Sequence, residues 1–344
     1  MEAGVPARLT GQQKPRREWL LKLILLTASL VVALAVSEVA VRVFFPINDG
    51  RANVTLAGEP ITEWFAPGSV YRQLTNEYDA ITTITAQGHR VPGTTGSPDV
   101  VFVGDSFTYG YGLKDDETFA SLYCAQTHIT CANLGMPGSG TARQVDRLRT
   151  FIERYGWRPR EVKFFFFGMS GSFSAGNDFV DNYNHGRRIE ANARGESPRR
   201  DSAPETLASR VIGLQSSLME YSYLVRRAKY HWGPLLKSLV VNDPGTERMQ
   251  TALDYTRTAL QELDALSHEK GFAYRLYLIV PVQDLIRKSQ GATLAALNSV
   301  APQPAVLAAP TLSTAPTSFY YPFDGHLNPA GSREVAKFLL EEHR

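Results

Sequence analysis

Apolar and polar positions divide this chain into three regimes. Residues 19–45, WLLKLILLTASLVVALAVSEVAVRVFF, are apolar almost without interruption and stop at Pro46, the pattern of one long hydrophobic helix. Residues 47–98 are mixed and rich in turn formers, with a short alternating run over Tyr78–Thr85 that predicts an edge strand. From Asp99 onward, short apolar runs alternate with helical periods. VVFVG (100–104), ITCANLG (129–135), KFFFFG (163–168) and FAYRLYLIVP (272–281) are predicted strands. Several are apolar on both faces, as parallel strands covered on two sides are. TARQVDRLRTFIERYG (141–156) and ERMQTALDYTRTALQELDALSHEKG (247–271) repeat apolar residues at helical spacing, and each stops at glycine. This alternation predicts an α/β fold built on a doubly wound parallel sheet.

The rhythm breaks over about 185–245, which is polar and arginine-rich at first and then helical around LMEYSYLVRRAKYHW. So short a polar stretch buries little apolar surface, so it reads as an insertion on one domain rather than a second core. The expected organisation is a tail over 1–18, an anchor over 19–45, a lead-in over 46–98 that packs on the main domain, and the main domain over 99–344.

The anchor is read from length and flanking charge. Leu23–Ser37 is fifteen residues without a charge. Lys22 can snorkel at one end, and Glu38 and Arg42 can pair at i,i+4 at the other, extending the apolar stretch to a membrane-crossing length. Arg8, Lys14, Arg16 and Arg17 precede it, so the tail is expected in the cytoplasm and the main domain outside. Ala33-Leu34-Ala35 also fits a signal-peptide cleavage site, but apolar residues continue to Phe45, which favours an uncleaved helix. Export places Cys124 and Cys131 in an oxidising compartment, where a bridge between them is expected; two independent buried thiols are the alternative.

Charge and cysteine content then exclude several classes. The net charge of +2 is too small to suggest nucleic-acid binding. The two cysteines are spaced too widely for a CxxC pair and are too few for a zinc site, and nothing in the sequence implies a cofactor or metal. Between Gly186 and Val240 ten Lys and Arg stand against five acidic residues. That excess would suit an anionic glycan or lipid headgroup, or simply a solvated face.

Four segments fall at or near the carboxyl ends of predicted strands, where open parallel sheets bind ligands. They are Gly104-Asp105-Ser106, the glycine-rich NLGMPGSGT (133–141), GNDFVDN (176–182) and YYPFDGHLNPAG (320–331), the last leading into a terminal helix, SREVAKFLLEEH. A serine hydroxyl is a weak nucleophile until a neighbouring base takes its proton, and histidine has the pKa for that work. Ser106 ends the first of these segments, and Asp324 and His326 in the last lie before the terminal helix, where their side chains can reach the sheet edge.

The set GDSFTYG, NLGMPG, GND and DGHLN, in this order, resembles the four blocks of SGNH/GDSL-type serine hydrolases across residues 99–344. The resemblance implies a three-layer, flavodoxin-like sheet that uses no cofactor. It implies Ser106 as nucleophile, His326 as general base and Asp324 as the residue that holds the His326 tautomer. The oxyanion hole would come from the Ser106 N–H, the Gly138 N–H (Gly135 as runner-up) and the Asn177 side-chain amide. Asp105 reads as tying its turn through backbone N–H groups, and Asp178 and Asp181 as organising their loop. Asp324 and His326 stand two apart, where three is usual in that family; the shorter spacing resembles alginate-type O-acetyltransferases. The implied activity is hydrolysis of acyl esters on carbohydrate or lipid outside the cytoplasmic membrane. An O-acetyltransferase acting on an exported polysaccharide and a catalytically inactive glycan-binding module are the alternatives.

Overall fold

The computed structural model describes residues 14–46, 65–93, 96–168, 177–195, 222–225, 227–228 and 245–343. The first element, α1 (Lys14–Phe44), contains a stretch over Glu18–Phe44 whose most apolar window has a mean hydropathy of 2.4 and no buried residue. By length and composition it can cross a bilayer, a property that anchors and signal sequences share. Arg42 Nε lies 2.7 Å from Glu38 Oε1, the i,i+4 pair read from the sequence. The Glu38 carboxylate also accepts from the Tyr223 and Leu224 N–H groups at 2.9 and 3.1 Å and from the Ser222 hydroxyl at 2.8 Å.

The alternating run near residue 80 is one half of an antiparallel hairpin, β1 (Val70–Leu74) with β2 (Asp79–Thr83). Five parallel strands follow: β3 (Val100–Val103), β4 (Cys131–Asn133), β5 (Glu161–Phe167), β6 (Ala273–Ile279) and the two-residue β7 (Val306–Leu307). Their order is β4-β3-β5-β6-β7, so the chain adds strands to one side of β3 and then to the other. That reversal opens a crevice at the carboxyl ends of β3 and β5, and Ser106 follows β3 directly.

Alternate side chains of the sheet enter two apolar layers. Phe102 and Phe165 stack on one face (ring centroids 6.2 Å apart), and Phe165 stacks on Tyr277 at 4.9 Å. Phe119 and Tyr123 of α3 (Phe119–Thr127) cover them, as does Phe338 of the terminal helix. On the opposite face Phe166 meets Phe179 of α5 (Asp178–Ala193), which packs with α4 (Thr141–Tyr155) and α6 (Gly245–Lys270). Each fully buried phenylalanine contributes roughly 2 kcal/mol of transfer free energy, and the FFFF run of β5 places such residues on both faces. The result is the three-layer, doubly wound arrangement expected from strand–helix alternation.

The remaining helices are short, except the last. They are α2 (Ser106–Tyr109), α7 (Val282–Arg287), α8 (Gln290–Asn298), α9 (Pro316–Phe319) and α10 (Pro329–His343). Helix α5 runs across residue 185, where the sequence rhythm breaks; of the stretch beyond it, only 222–225 and 227–228 lie among the described residues. Cys124 of α3 and Cys131 of β4 form a disulfide with a Cα–Cα distance of 6.1 Å.

Candidate active site

Ser106 owes its position to the sharp exit of β3. Gly104 turns the chain where a Cβ would lie 2.2 Å from Thr108 Oγ1 and 2.7 Å from the Phe165 carbonyl oxygen, so only glycine fits between α2 and β5. Asp105 then caps α2: its carboxylate accepts the Phe107 N–H at 2.9 Å. The helix ends within one turn at Gly110, in the left-handed region at φ 81°. Ser106 is its first residue and is only partly buried.

His326 and Asp324 reach Ser106 from a tight turn before α10. The Gly325 N–H donates to the Tyr321 carbonyl at 2.9 Å and the Tyr321 N–H to the His326 carbonyl at 2.8 Å. Gly325 sits at φ 86°, and this left-handed step accounts for a two-residue spacing that turns both side chains the same way. Asn328 closes the turn by capping α10, its Oδ1 accepting from the Ala330 and Gly331 N–H groups.

The imidazole bridges the two partners. His326 Nε2 is 2.7 Å from Ser106 Oγ, and His326 Nδ1 is hydrogen-bonded to Asp324 Oδ1. With Nδ1–H donating to the carboxylate, Nε2 is the acceptor that faces the serine hydroxyl. Asp105 Oδ2 is farther from that hydroxyl, at 3.4 Å. The His326 ring lies between Phe107 and Tyr111, with centroids at 4.8 and 5.1 Å. Burial works to raise the Asp324 pKa, yet the His326 charge and hydrogen bond and the Tyr78 hydroxyl outweigh it and hold the carboxyl below its usual range.

A second group of carboxylates lies beneath the serine. Full burial pushes Asp105 up to about 7; the Phe107 N–H and His326 oppose the rise, and the Asp181 charge adds to it. Burial, with the charges of Asp105 and Asp181, raises Asp178 well above its ordinary value. Asp178 accepts the Phe167 N–H at 3.1 Å and the Gln144 amide at 3.3 Å, which ties the end of β5 to α4 and α5.

The glycine-rich loop after β4 approaches the same turn, with the Met136 N–H donating to the Gly104 carbonyl at 2.9 Å. Gly138 takes a left-handed φ of 68°. A Cβ on Gly135 would lie 2.1 Å from the Tyr109 backbone nitrogen, so that glycine is required by the close approach of α2. Asn177 is fully buried and caps α5, its Oδ1 accepting the Phe179 N–H at 3.0 Å. The loop that leads to it, 169–176, lies outside the described residues.

Sequence reasoning missed the contribution of the lead-in. Arg90, fully buried, donates to the carbonyls of Tyr109, Gly110 and Leu113 beyond α2. Glu77 and Tyr78 reach the Asp324 turn from the other side. None belongs to a local motif: Glu77 and Tyr78 sit in an ordinary polar turn, Thr75-Asn76-Glu77-Tyr78, and nothing in the sequence marks it as facing Asp324.

No protein-family model matches this chain, and no curated protein matches it. Among solved structures it is similar to the psychrotrophic esterase EstA from Pseudoalteromonas sp., at 14% identity and a TM-score of 0.38 over 70% of this chain and 94% of that one. A catalytic mutant of the acetylxylan esterase Axe2 from Geobacillus stearothermophilus is similar at 12% identity, with a TM-score of 0.35 over 72% and 94%. A carbohydrate esterase family 2 enzyme plus carbohydrate-binding domain from Corynascus thermopiles (Myceliophthora fergusii) is similar at 13% identity, with a TM-score of 0.34 over 76% and 69%. At such low identity these are likenesses, and the chemistry of the site rests on its own geometry.

Proposed function

We propose that this chain is a serine-dependent acyl-ester hydrolase, with Ser106 as nucleophile, His326 as general base and Asp324 as the orienting acid. The observation that carries the reading is the His326 ring, within hydrogen-bond reach of Ser106 Oγ at one nitrogen and of Asp324 at the other. Ser106 Oγ attacks the ester carbonyl as its proton passes to His326 Nε2. Asp324, charged and hydrogen-bonded to Nδ1, stabilises the imidazolium. Collapse of the tetrahedral intermediate expels the alcohol, which takes the proton from His326. A water molecule, deprotonated by His326, then releases the acid and restores the serine. The negative charge on the intermediate falls to the Ser106 N–H, the Gly138 N–H and the Asn177 amide, where loss of one donor typically costs about 100- to 1000-fold in rate.

Helix α1 serves in this proposal as an uncleaved single-pass anchor, with the N-terminus inside and the catalytic domain outside the cytoplasmic membrane. The substrate class is an O-acylated carbohydrate or lipid of the cell envelope. A transferase reading is favoured by one feature, the two-residue spacing of Asp324 and His326. Product analysis with an acetyl donor separates the two. The hydrolase releases free acetate in step with donor consumption whether or not acceptor oligosaccharide is present. Acetylated oligosaccharide without comparable free acetate would assign the transferase.

A further inference from the structure

The β1–β2 hairpin belongs to the lead-in, yet its turn meets the catalytic machinery. Thr75 Oγ1 accepts the N–H groups of Glu77 and Tyr78 at 3.1 and 3.3 Å and fixes the hairpin turn. One Glu77 carboxylate oxygen accepts the Phe323 N–H at 3.0 Å; the other accepts the Asp324 N–H at 2.7 Å. Tyr78 donates its hydroxyl to Asp324 Oδ2 at 3.1 Å, leaving Oδ1 for His326. The phenol ring is 7% exposed and packs on Tyr321, with centroids 4.9 Å apart. Gly112 lies against it so closely that a Cβ there would be 2.9 Å from the ring. A ring confined in this way delivers its O–H to one place.

We infer that Tyr78 is a positioning residue for the Asp324–His326 pair, assisted by Glu77, and that the hairpin preceding the main sheet is thereby part of the active site. The inference rests on the proposed Ser106–His326–Asp324 chemistry. A carboxylate with two oxygens can rotate about its Cβ–Cγ bond. Tying Oδ2 to Tyr78 and the backbone N–H of Asp324 to Glu77 leaves Oδ1 directed at Nδ1, the orientation in which Nε2 faces Ser106. Among the described residues, the titratable groups facing the pair are Glu77, Tyr78, Asp105, Tyr111 and Tyr321. Tyr78 donates its hydroxyl to Asp324 Oδ2, and a donor to a carboxylate favours its charged form.

The test is the rate of Ser106 labelling by a fluorophosphonate across pH 5 to 9. It uses the full chain in detergent and compares wild type with Tyr78→Phe, Glu77→Gln, Glu77→Ala and Ser106→Ala. Tyr78→Phe keeps the ring and removes one hydroxyl, so it should still fold cooperatively, with a melting temperature only a few degrees below wild type. Its labelling rate near pH 7 should fall about tenfold, the order expected for a lost hydrogen bond to a charged group. The acidic limb of its pH profile should move upward, because a carboxylate deprived of a donor lets the pair keep its proton to higher pH. Glu77→Gln keeps one of the two acceptor oxygens, so its labelling rate should fall between those of wild type and Glu77→Ala. A Tyr78→Phe profile superimposable on wild type, or a slower rate with an unmoved limb, would overturn the inference. Should Tyr78→Phe fail to fold, equal labelling by Glu77→Gln and Glu77→Ala would overturn it instead. Failure of the underlying chemistry is distinct: folded wild type would then remain unlabelled, or Ser106→Ala would be labelled as fast.

Discussion

The guanidinium of Arg90 lies 4.9 Å from the centre of the Tyr109 ring while donating to the Tyr109 backbone carbonyl at 2.8 Å. One side chain from the lead-in thus closes the carboxyl end of the helix on which Ser106 stands. Burial lowers the Arg90 pKa, yet its donors are shared among three carbonyls and Asp115, whose oxygen is 3.4 Å away. Arg90→Met should cost about 3 kcal/mol or more in urea unfolding, because buried carbonyls lose their donor. Arg90→Lys should cost nearly as much, since a single ammonium cannot span Tyr109, Gly110 and Leu113.

Gly104 and Gly325 should separate folding from alignment. A Cβ at Gly104 collides with backbone of β5, so Gly104→Ala should lower the melting temperature sharply and abolish labelling together. Gly325 has open space around it and is constrained only by its φ of 86°. Gly325→Ala should cost only about 1–2 kcal/mol of stability. Its labelling rate should nevertheless fall steeply, because the left-handed step is what brings Asp324 and His326 together. Equal stability losses in the two variants would contradict this account.

The two aspartates near Ser106 should behave oppositely. Asp324→Asn removes the acceptor that fixes the His326 tautomer, and a loss on the order of 10,000-fold in labelling rate is expected. Asp105→Asn keeps an oxygen for the Phe107 N–H and should label within a few-fold of wild type. A large loss in Asp105→Asn with little in Asp324→Asn would exchange their roles.

Asp105 also carries a pH signature. Its folded pKa of about 7 lies above the ordinary 3.8, so the folded state holds a proton that the unfolded chain has released. That contribution is fully present below about pH 4 and is lost as pH rises towards 7. Asp105→Asn removes the titration. Its melting temperature relative to wild type should therefore increase steadily from pH 4 to 7 and level off above that. A difference independent of pH would contradict it.

The sheet was legible wherever a strand is covered on both faces. VVFV and KFFFF are apolar runs too short for helices, and they became β3 and β5. β7 was not, because two residues carry no periodicity, and β1 was not, because polar Gln73 takes a buried position while apolar Val70 is exposed. Helix α5 begins at Asp178 within a stretch that reads as a polar loop, since its buried face mixes Phe179 and Tyr183 with Asp178 and Asn182. Ser106, Asp324 and His326 could be named because each sits in a short, residue-specific turn. Tyr78 could not: its partner lies 246 residues away, and its hydroxyl matters only once the hairpin is folded against the Asp324 turn.

The most direct measurement is fluorophosphonate labelling of the folded chain, with peptide mass spectrometry to locate the adduct. The account predicts one adduct, on Ser106, absent in Ser106→Ala and strongly slowed in His326→Ala. A folded wild-type chain that takes no adduct, or one that carries it elsewhere while Ser106→Ala labels normally, would contradict it.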